Sequence, residues 1–351
     1  MVEYAIFGAR SVALDVCKSL QTLYPEITIV GFLVSKFGNN PRSLAGLPVF
    51  EVDDYPNKDV HVLIATSEDI QGNLSNYLHE SGFHNHTCIP TAVEIELMEK
   101  YYTKLGLWNS LHSLPRGDEF AQLKVFSAKS GKDRPLCNIA NFPNWVHYVH
   151  AGATFSNENI AEYRDDEGES ISYKNRNYCE MTAFYWMWKN LKSFAPVDYV
   201  GLFHYRRMLD ISDDDILALK KNDIDIVLPY PMLHEPNAYE HHTRYIKESD
   251  WEAMLRALRE VRPEYYEALD DIFSKPYFYN YNMMVARPRV IEEYGEWLFP
   301  ILERIEEIST PKGCERSDRY IGYLSESLTT LYFFHNAERY NIAHTGRLMF
   351  T

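Results

Sequence analysis

The sequence predicts an α/β protein in two parts: an N-terminal Rossmann-like domain built on a parallel sheet, and a larger α/β domain behind it. Three observations carry this. Apolar strand-like runs alternate with helical patterns along the chain, the rhythm of βαβ units. The 351 residues exceed what a single core usually serves. A composition 46% hydrophobic and 24% charged is that of a globular chain and excludes wholesale disorder.

The elements follow in order. Val2–Phe7 reads as a strand, Gly8-Ala-Arg-Ser as a tight turn, and Val12–Leu23 as a helix with Val12, Val16, Leu20 and Leu23 on its apolar face. Ile27–Val34 is a second strand, and Gly46–Phe50 a short one. Val60–Ser67 is near-continuously apolar, as in a buried parallel strand. Gly72–Glu80 is a helix stopped by Ser81-Gly82, and Thr91–Gly106 a helix leading out of the domain. Polar, turn-rich Leu114–Glu119 marks the boundary. The division is 1–95 Rossmann-like domain, 96–121 helical linker and 122–351 second domain. In the second domain the strands are Leu123–Ala128, Val146–Ala153, Asp198–Arg207, Asp223–Pro229 and Tyr277–Ala286. The helices are Tyr178–Leu191, 249–261, 264–273, Pro288–Glu307 and Asp318–His335. Function is expected at the carboxyl ends of the strands.

Charge narrows the partners. Lys+Arg 35 against Asp+Glu 50 leaves net −15, with both parts of the chain acidic. This argues against nucleic acid and against docking on an anionic membrane by charge. The start has no basic region ahead of an apolar stretch, and no run approaches a membrane span, so no secretory signal or spanning helix is expected. Cys17, Cys88, Cys137, Cys179 and Cys314 are scattered without a CxxC pair, which indicates neither disulfide framework nor zinc site and fits a reduced cytoplasmic compartment. The 26 tyrosines suit sugar or nucleotide pockets, or equally a Tyr-rich core.

Several clusters could carry chemistry. Gly8-Ala-Arg-Ser-Val-Ala occupies the place of a dinucleotide turn, but Arg10 and Ala13 stand where two further glycines belong. The domain then either receives an anion with help from Arg10, or serves packing, dimerisation or regulation. His204-Tyr-Arg-Arg puts two fixed cations at a strand end. Alternation sends Arg206 and Arg207 to opposite faces, one toward a ligand and the other into an ion pair. Arg164-Asp-Asp-Glu offers loop carboxylates to a metal or simply to solvent. Asp213–Asp215 reads as an N-cap and first-turn charge. Glu180, inside an aromatic helix, needs a partner, with Arg206 or Arg207 the candidates. Glu326, near the start of an apolar helix, reads as a general base, as an acceptor of sugar hydroxyls, or as a structural partner of Arg319. His241-His242 is expected at the surface.

At these residues the second domain resembles a known family: bacterial capsular and exopolysaccharide biosynthesis proteins first catalogued as a domain of unknown function and regarded as GT-A-type glycosyltransferases. The matching residues run in order through Arg164-Asp-Asp, Asn177–Thr182, Tyr185–Asn190, Tyr199–Arg207, Asn282-Met-Met, Tyr294–Phe299 and Gly322–Glu326. They span about 123–336. The N-terminal part resembles Rossmann-like domains attached to sugar acyltransferases.

The resemblance implies a GT-A-like second domain. It implies transfer of a sugar, of hexosyl or galactofuranosyl type, from a nucleotide sugar donor to a saccharide or lipid-linked glycan acceptor. It also leaves room for homo-oligomers and for association with envelope-synthesis enzymes at the inner membrane face. GT-A enzymes usually end a central strand in a metal-holding Asp-x-Asp, and here that strand ends in His204-Tyr-Arg-Arg. Cationic side chains are therefore expected to replace the metal, and no cofactor is expected. Glu326, Arg206 and His204 are the expected catalytic residues. Ala128, Val149, Ala151, Gly152 and Asp165 belong to the donor side, with Glu180, Tyr205 and Arg207 also binding, and Asn280 and Asn282 toward the acceptor. Met208-Leu-Asp departs from the family, where an aromatic pair is more usual. The rival reading is a non-catalytic nucleotide-sugar-binding or assembly scaffold. A nicotinamide-dependent enzyme is disfavoured by the degraded glycine turn.

Overall fold

The computed structural model describes residues 3–136 and 143–350, so Val2 of the first expected strand and Cys137 fall outside it, as does the side chain of Cys314. In the first domain β1 (Glu3–Phe7), β2 (Thr28–Val34), β3 (Ser43–Leu44), β4 (Leu47–Glu51), β5 (His61–Ile64) and β6 (His86–Cys88) form one sheet, ordered β3-β4-β2-β1-β5-β6. All its pairings are parallel except β3 with β4. This is the expected Rossmann-like arrangement. Helices α1 (Ser11–Leu23) and α3 (Thr91–Leu105) pack together, burying Val16, Leu20, Leu97 and Met98 in one core. α2 (Glu68–Glu80) begins a turn earlier than the sequence suggested, because Glu68 and Asp69 suit the positive amino end of a helix. The Gly8 turn is kept: its φ is +124°, and a Cβ there would sit 2.7 Å from the Ala65 carbonyl oxygen.

The second sheet runs β16 (Ile342–Thr345), β12 (Ile226–Pro229), β15 (Met284–Ala286), β10 (Tyr199–His204), β7 (Leu123–Lys129), β8 (Val146–His150) and β9 (Tyr163–Arg164). β15 alone on this path is antiparallel to its neighbours. One face carries α5 (Met181–Lys189), α8 (Glu248–Val261), α9 (Pro263–Phe273), α10 (Pro288–Ile308) and α11 (Tyr320–His335), whose apolar stripes close the largest core. Much of the tyrosine enters these cores, with Tyr178, Tyr199, Tyr294 and Tyr332 fully buried.

Several expectations are corrected. The helix read over 178–191 breaks into α4 (Asn175–Tyr178) and α5, because Cys179 adopts a left-handed φ of +52°. The strand read over 277–286 splits into β14 (Tyr277–Phe278) and β15, with Tyr281 and Asn282 also left-handed. The N-cap of α6 (Asp213–Lys221) is Ser212 rather than an aspartate; its hydroxyl and the Asp215 carboxylate form a reciprocal box. His241 and His242, on α7 (Tyr239–Tyr245), are buried, because each ring stacks on an aromatic: His241 on Phe278 at 4.0 Å and His242 on Trp251 at 4.2 Å. Cys17, Cys88 and Cys179 are free thiols. Among the described residues no helix is long and apolar enough to cross a membrane.

The two domains meet along a seam that is partly apolar, with Tyr230 and Leu233 buried in the first domain's core, and partly polar. Asp15 of α1 accepts from the Leu233 amide of β13 (Met232–Leu233) at 2.8 Å, and Tyr102 of α3 donates to the Pro231 carbonyl at 2.7 Å. Glu94 pairs with Arg347 on β17 (Arg347–Met349) at 2.6 Å. Asp69, just past β5, meets Arg206, just past β10, at 3.3 Å. The carboxyl ends of β5 and β10 therefore lie close to one another.

Candidate active site

The site is built on the carboxyl end of β10. Ser127 on the neighbouring β7 donates to the His204 carbonyl at 3.0 Å and locks the strand end. The strand then stops: Tyr205 and Arg206 make the two-residue turn of a hairpin, and His204 pairs with Arg207 on β11 (Arg207–Leu209). This turn, and not strand alternation, separates the two arginines. Arg206 swings toward the first domain and shares Asp69 with Arg134, which lies 3.0 Å from the same carboxylate oxygen. Tyr205 lies beside Arg134. Partial burial would raise the Asp69 carboxyl, but the Ser67 hydroxyl and the two guanidiniums hold it below its ordinary range. Arg207 turns the other way, its guanidinium 4.4 Å from the Tyr281 ring centroid, and has no carboxylate partner among the described residues.

Behind the strand end stand two carboxyl groups. Glu180 does not pair with an arginine, as expected from sequence. Its Oε1 accepts from Asn282 Nδ2 at 2.8 Å and lies 3.9 Å from His204 Nε2. Asn282 is fixed from all sides: Nδ2 also donates to Ser325 at 2.9 Å, and Oδ1 accepts from Thr329 at 2.9 Å. It thus orients Glu180 from behind. His204 Nε2 is 2.5 Å from the Tyr281 carbonyl, an acceptor only, so Nε2 carries a proton. Asn280 lies beside His234.

Glu326 lies past the first turn of α11 and is 9% exposed. Its Oε2 is 3.3 Å from His241 Nε2, a neighbour the sequence reading placed at the surface and so missed. Burial, together with the nearby Glu180 charge, pushes the Glu326 carboxyl up to about 8; His204, the Tyr281 amide and Arg207 oppose this. Burial pushes His241 down to about 3, so its imidazole is neutral at pH 7.

Backbone strain marks the same place. Six described non-glycine residues have left-handed φ, and four of them, Cys179, Tyr281, Asn282 and Arg319, surround Glu180 and Glu326. Such conformations cost about 1–3 kcal/mol each and persist where the surroundings impose them, often at functional sites. Here Arg319 Nε donates to the Cys179 sulfur at 3.2 Å, tying two of them together.

The expected donor-side residues line the ends of β7 and β8, but Ala128, Val149 and Ala151 are buried. Asp165 is fully buried and saturated. Its Oδ2 accepts from the Gly152 amide at 2.8 Å and Thr182 at 2.6 Å, its Oδ1 from the Ala153 amide at 3.0 Å and Ser172 at 2.5 Å. With every lone-pair direction used, it shapes the loop at Gly152 (φ +75°) instead of touching a ligand. Asp165→Ala should destabilise the protein by about 3–5 kcal/mol, since four donors lose their acceptor at once. Urea unfolding measures this; a change below about 1 kcal/mol would deny Asp165 the role.

Comparison with known proteins fits this architecture. Residues 140–337 match the family described as a domain of unknown function, DUF4422. Among solved structures the chain is similar to the apo structure of WbbM, a bifunctional glycosyltransferase, with 26% identity and a TM-score of 0.54. The similarity covers 65% of this chain and 45% of WbbM, so the chain spans less than half of that protein. No curated protein matches. The second domain is thus α/β and GT-A-like, and the chain is similar in structure to a glycosyltransferase. By a match over more than half its length, the chain belongs to the DUF4422 family.

Proposed function

We infer that the chain is a glycosyltransferase that moves a sugar from a nucleotide-diphosphate donor, UDP-linked, to a glycan acceptor in capsular or exopolysaccharide synthesis on the cytoplasmic side. One observation carries this reading. A buried carboxyl, Glu326, and a guanidinium with no carboxylate partner among the described residues, Arg207, sit together at the carboxyl end of a central parallel strand. The similarity to WbbM supports the same reaction class.

The chemistry needs three things: a cation for the departing diphosphate, a base for the acceptor hydroxyl, and exclusion of water. Arg207 and Arg206, on either side of the strand end, supply positive charge where the diphosphate leaves, and His204 between them holds the Tyr281 carbonyl. Glu326, ionised, takes the proton as the hydroxyl oxygen attacks the anomeric carbon. The new C–O bond forms as the bond to the diphosphate breaks, and the electron pair departs with UDP. Attack opposite the leaving group inverts the anomeric centre.

A divalent ion of the kind GT-A relatives hold has no part in this proposal: no three His, Cys, Asp or Glu side chains converge among the described residues, and Asp165, a buried loop carboxylate, has no lone pair to give. Incubation with a panel of UDP-sugars and an oligosaccharide pool tests the reading. UDP release and a glycosylated product are expected with one donor. A donor that raises the melting temperature yet never releases UDP would instead establish a binding scaffold.

A further inference from the structure

One motif from the sequence has no part in this mechanism: the turn Gly8-Ala-Arg10, where Arg10 replaces a glycine of the dinucleotide pattern. The turn survives, but its third residue carries a long side chain into the seam between the domains. Arg10 precedes α1 in extended backbone, and its neighbour Ser11 has Oγ 3.4 Å from His234 Nε2 of the second domain. The guanidinium is half-buried, within electrostatic reach of Glu240, Arg244 and Tyr245 on α7. Glu240 is already engaged, accepting from Arg244 Nε at 2.6 Å. Arg10 itself has no ion pair or side-chain hydrogen bond among the described residues. A partly desolvated guanidinium without a counter-charge favours an anion from outside.

Beside it lies an aromatic face. The Tyr245 ring is 51% exposed and runs nearly parallel, at 14°, to the Tyr323 ring, with centroids 6.0 Å apart. Tyr245 also lies 5.0 Å from the His241 ring, and His241 contacts Glu326 at 3.3 Å. Tyr323 stands one turn before Glu326 on α11. A continuous path therefore leads from Arg10, across two tyrosine faces, to the proposed base. Flat rings with polar tips can cover the C–H face of a sugar while its hydroxyls stay hydrogen-bonded at the rim.

The geometry points to an acceptor subsite on this face, shared by both domains, that takes a saccharide bearing an anionic group. It rests on the glycosyl-transfer reading and adds the class of acceptor. Tyr245 and Tyr323 stack the ring whose hydroxyl faces Glu326. Arg10 forks the anion, either the carboxylate of an acidic sugar or the phosphate of an anchored one. The first domain thereby completes the site of the second.

The test is ligand-observed NMR titration of the full chain, with UDP saturating, using methyl β-glucuronide, glucose 1-phosphate and methyl β-glucoside as probes. An anionic probe should bind roughly tenfold tighter than the neutral glycoside, the worth of one charge-assisted hydrogen bond. Whichever anion binds tighter identifies carboxylate or phosphate as the natural group. Arg10→Ala should abolish the preference and Arg10→Lys keep part of it. Tyr245→Ala should weaken all three probes, with an unchanged melting temperature confirming that each variant folds. Equal binding of charged and neutral probes by the unmodified protein, or a preference that outlives Arg10→Ala, overturns the subsite. If UDP itself does not bind, the transfer reading fails, and the subsite with it.

Discussion

Glu326→Gln should cut turnover by roughly 10²–10⁴-fold while leaving UDP affinity close to its original value, because it removes a proton acceptor and little else. The amide has nearly the same shape and can still meet His241. The pH profile carries more information than the loss. Glu326 titrates near 8, and only its ionised form can accept a proton, so kcat/KM should climb with pH and level off above about 8. The Glu180 charge helps hold that value up, so Glu180→Gln should move the rise toward acid.

Stability should move in the opposite sense. The folded-state pKa lies above the ordinary carboxyl value, so the contribution is full below about 4.5 and is lost as pH rises through about 8. The Gln variant, neutral throughout, should gain on the original protein with rising pH, by up to the order of 4 kcal/mol. Denaturant titrations at pH 5 and pH 9 compare the two. A stability difference that does not change with pH, or a Gln variant with near-full turnover, rules Glu326 out as the base.

Much of this was legible in the chain. Strands and helices announced themselves wherever burial imposed a period: β5 as an apolar run, α1 by its four spaced aliphatics, α10 from Pro288 onward. The errors cluster where the backbone leaves the regular regions. Cys179, Tyr281 and Asn282 have ordinary strand or helix propensities, and nothing local says that each turns left-handed. Tertiary contacts impose those conformations, so propensity could not reveal them. The same limit explains the partners. The two histidines of α7 look solvated as a polar dipeptide, and only the distant Phe278, Trp251 and Glu326 make them interior. Glu180 was rightly seen to need a partner. Asn282 serves instead of an arginine because the left-handed turn aims its amide inward. The sequence put His204-Tyr-Arg-Arg at the end of a buried strand, and β10 does end there, but a hairpin turn that no local signal announced separates the two arginines.

That strand end carries the second large effect. Arg207→Ala should lower turnover by roughly 10²–10³-fold, the usual cost of deleting one charge-stabilising donor from a preorganised site. Arg207→Lys should recover only part of it, because a point charge cannot make a forked contact with two phosphate oxygens. Arg206→Ala should also impair transfer, but with a different signature. Arg206 shares Asp69 with Arg134, so its removal unbalances a carboxylate of the first domain as well as the donor site. A loss of both turnover and thermal stability is expected there, against turnover alone for Arg207, which lies over the Tyr281 ring and makes no ion pair with a carboxylate among the described residues. Transfer should not respond to EDTA if guanidinium groups do the work of a metal. Loss of activity in EDTA, restored by Mn²⁺, would show that a cation bridges the diphosphate after all. The arginines would then be left to hold the domains together, and the case for electrostatic catalysis at β10 would fall with them.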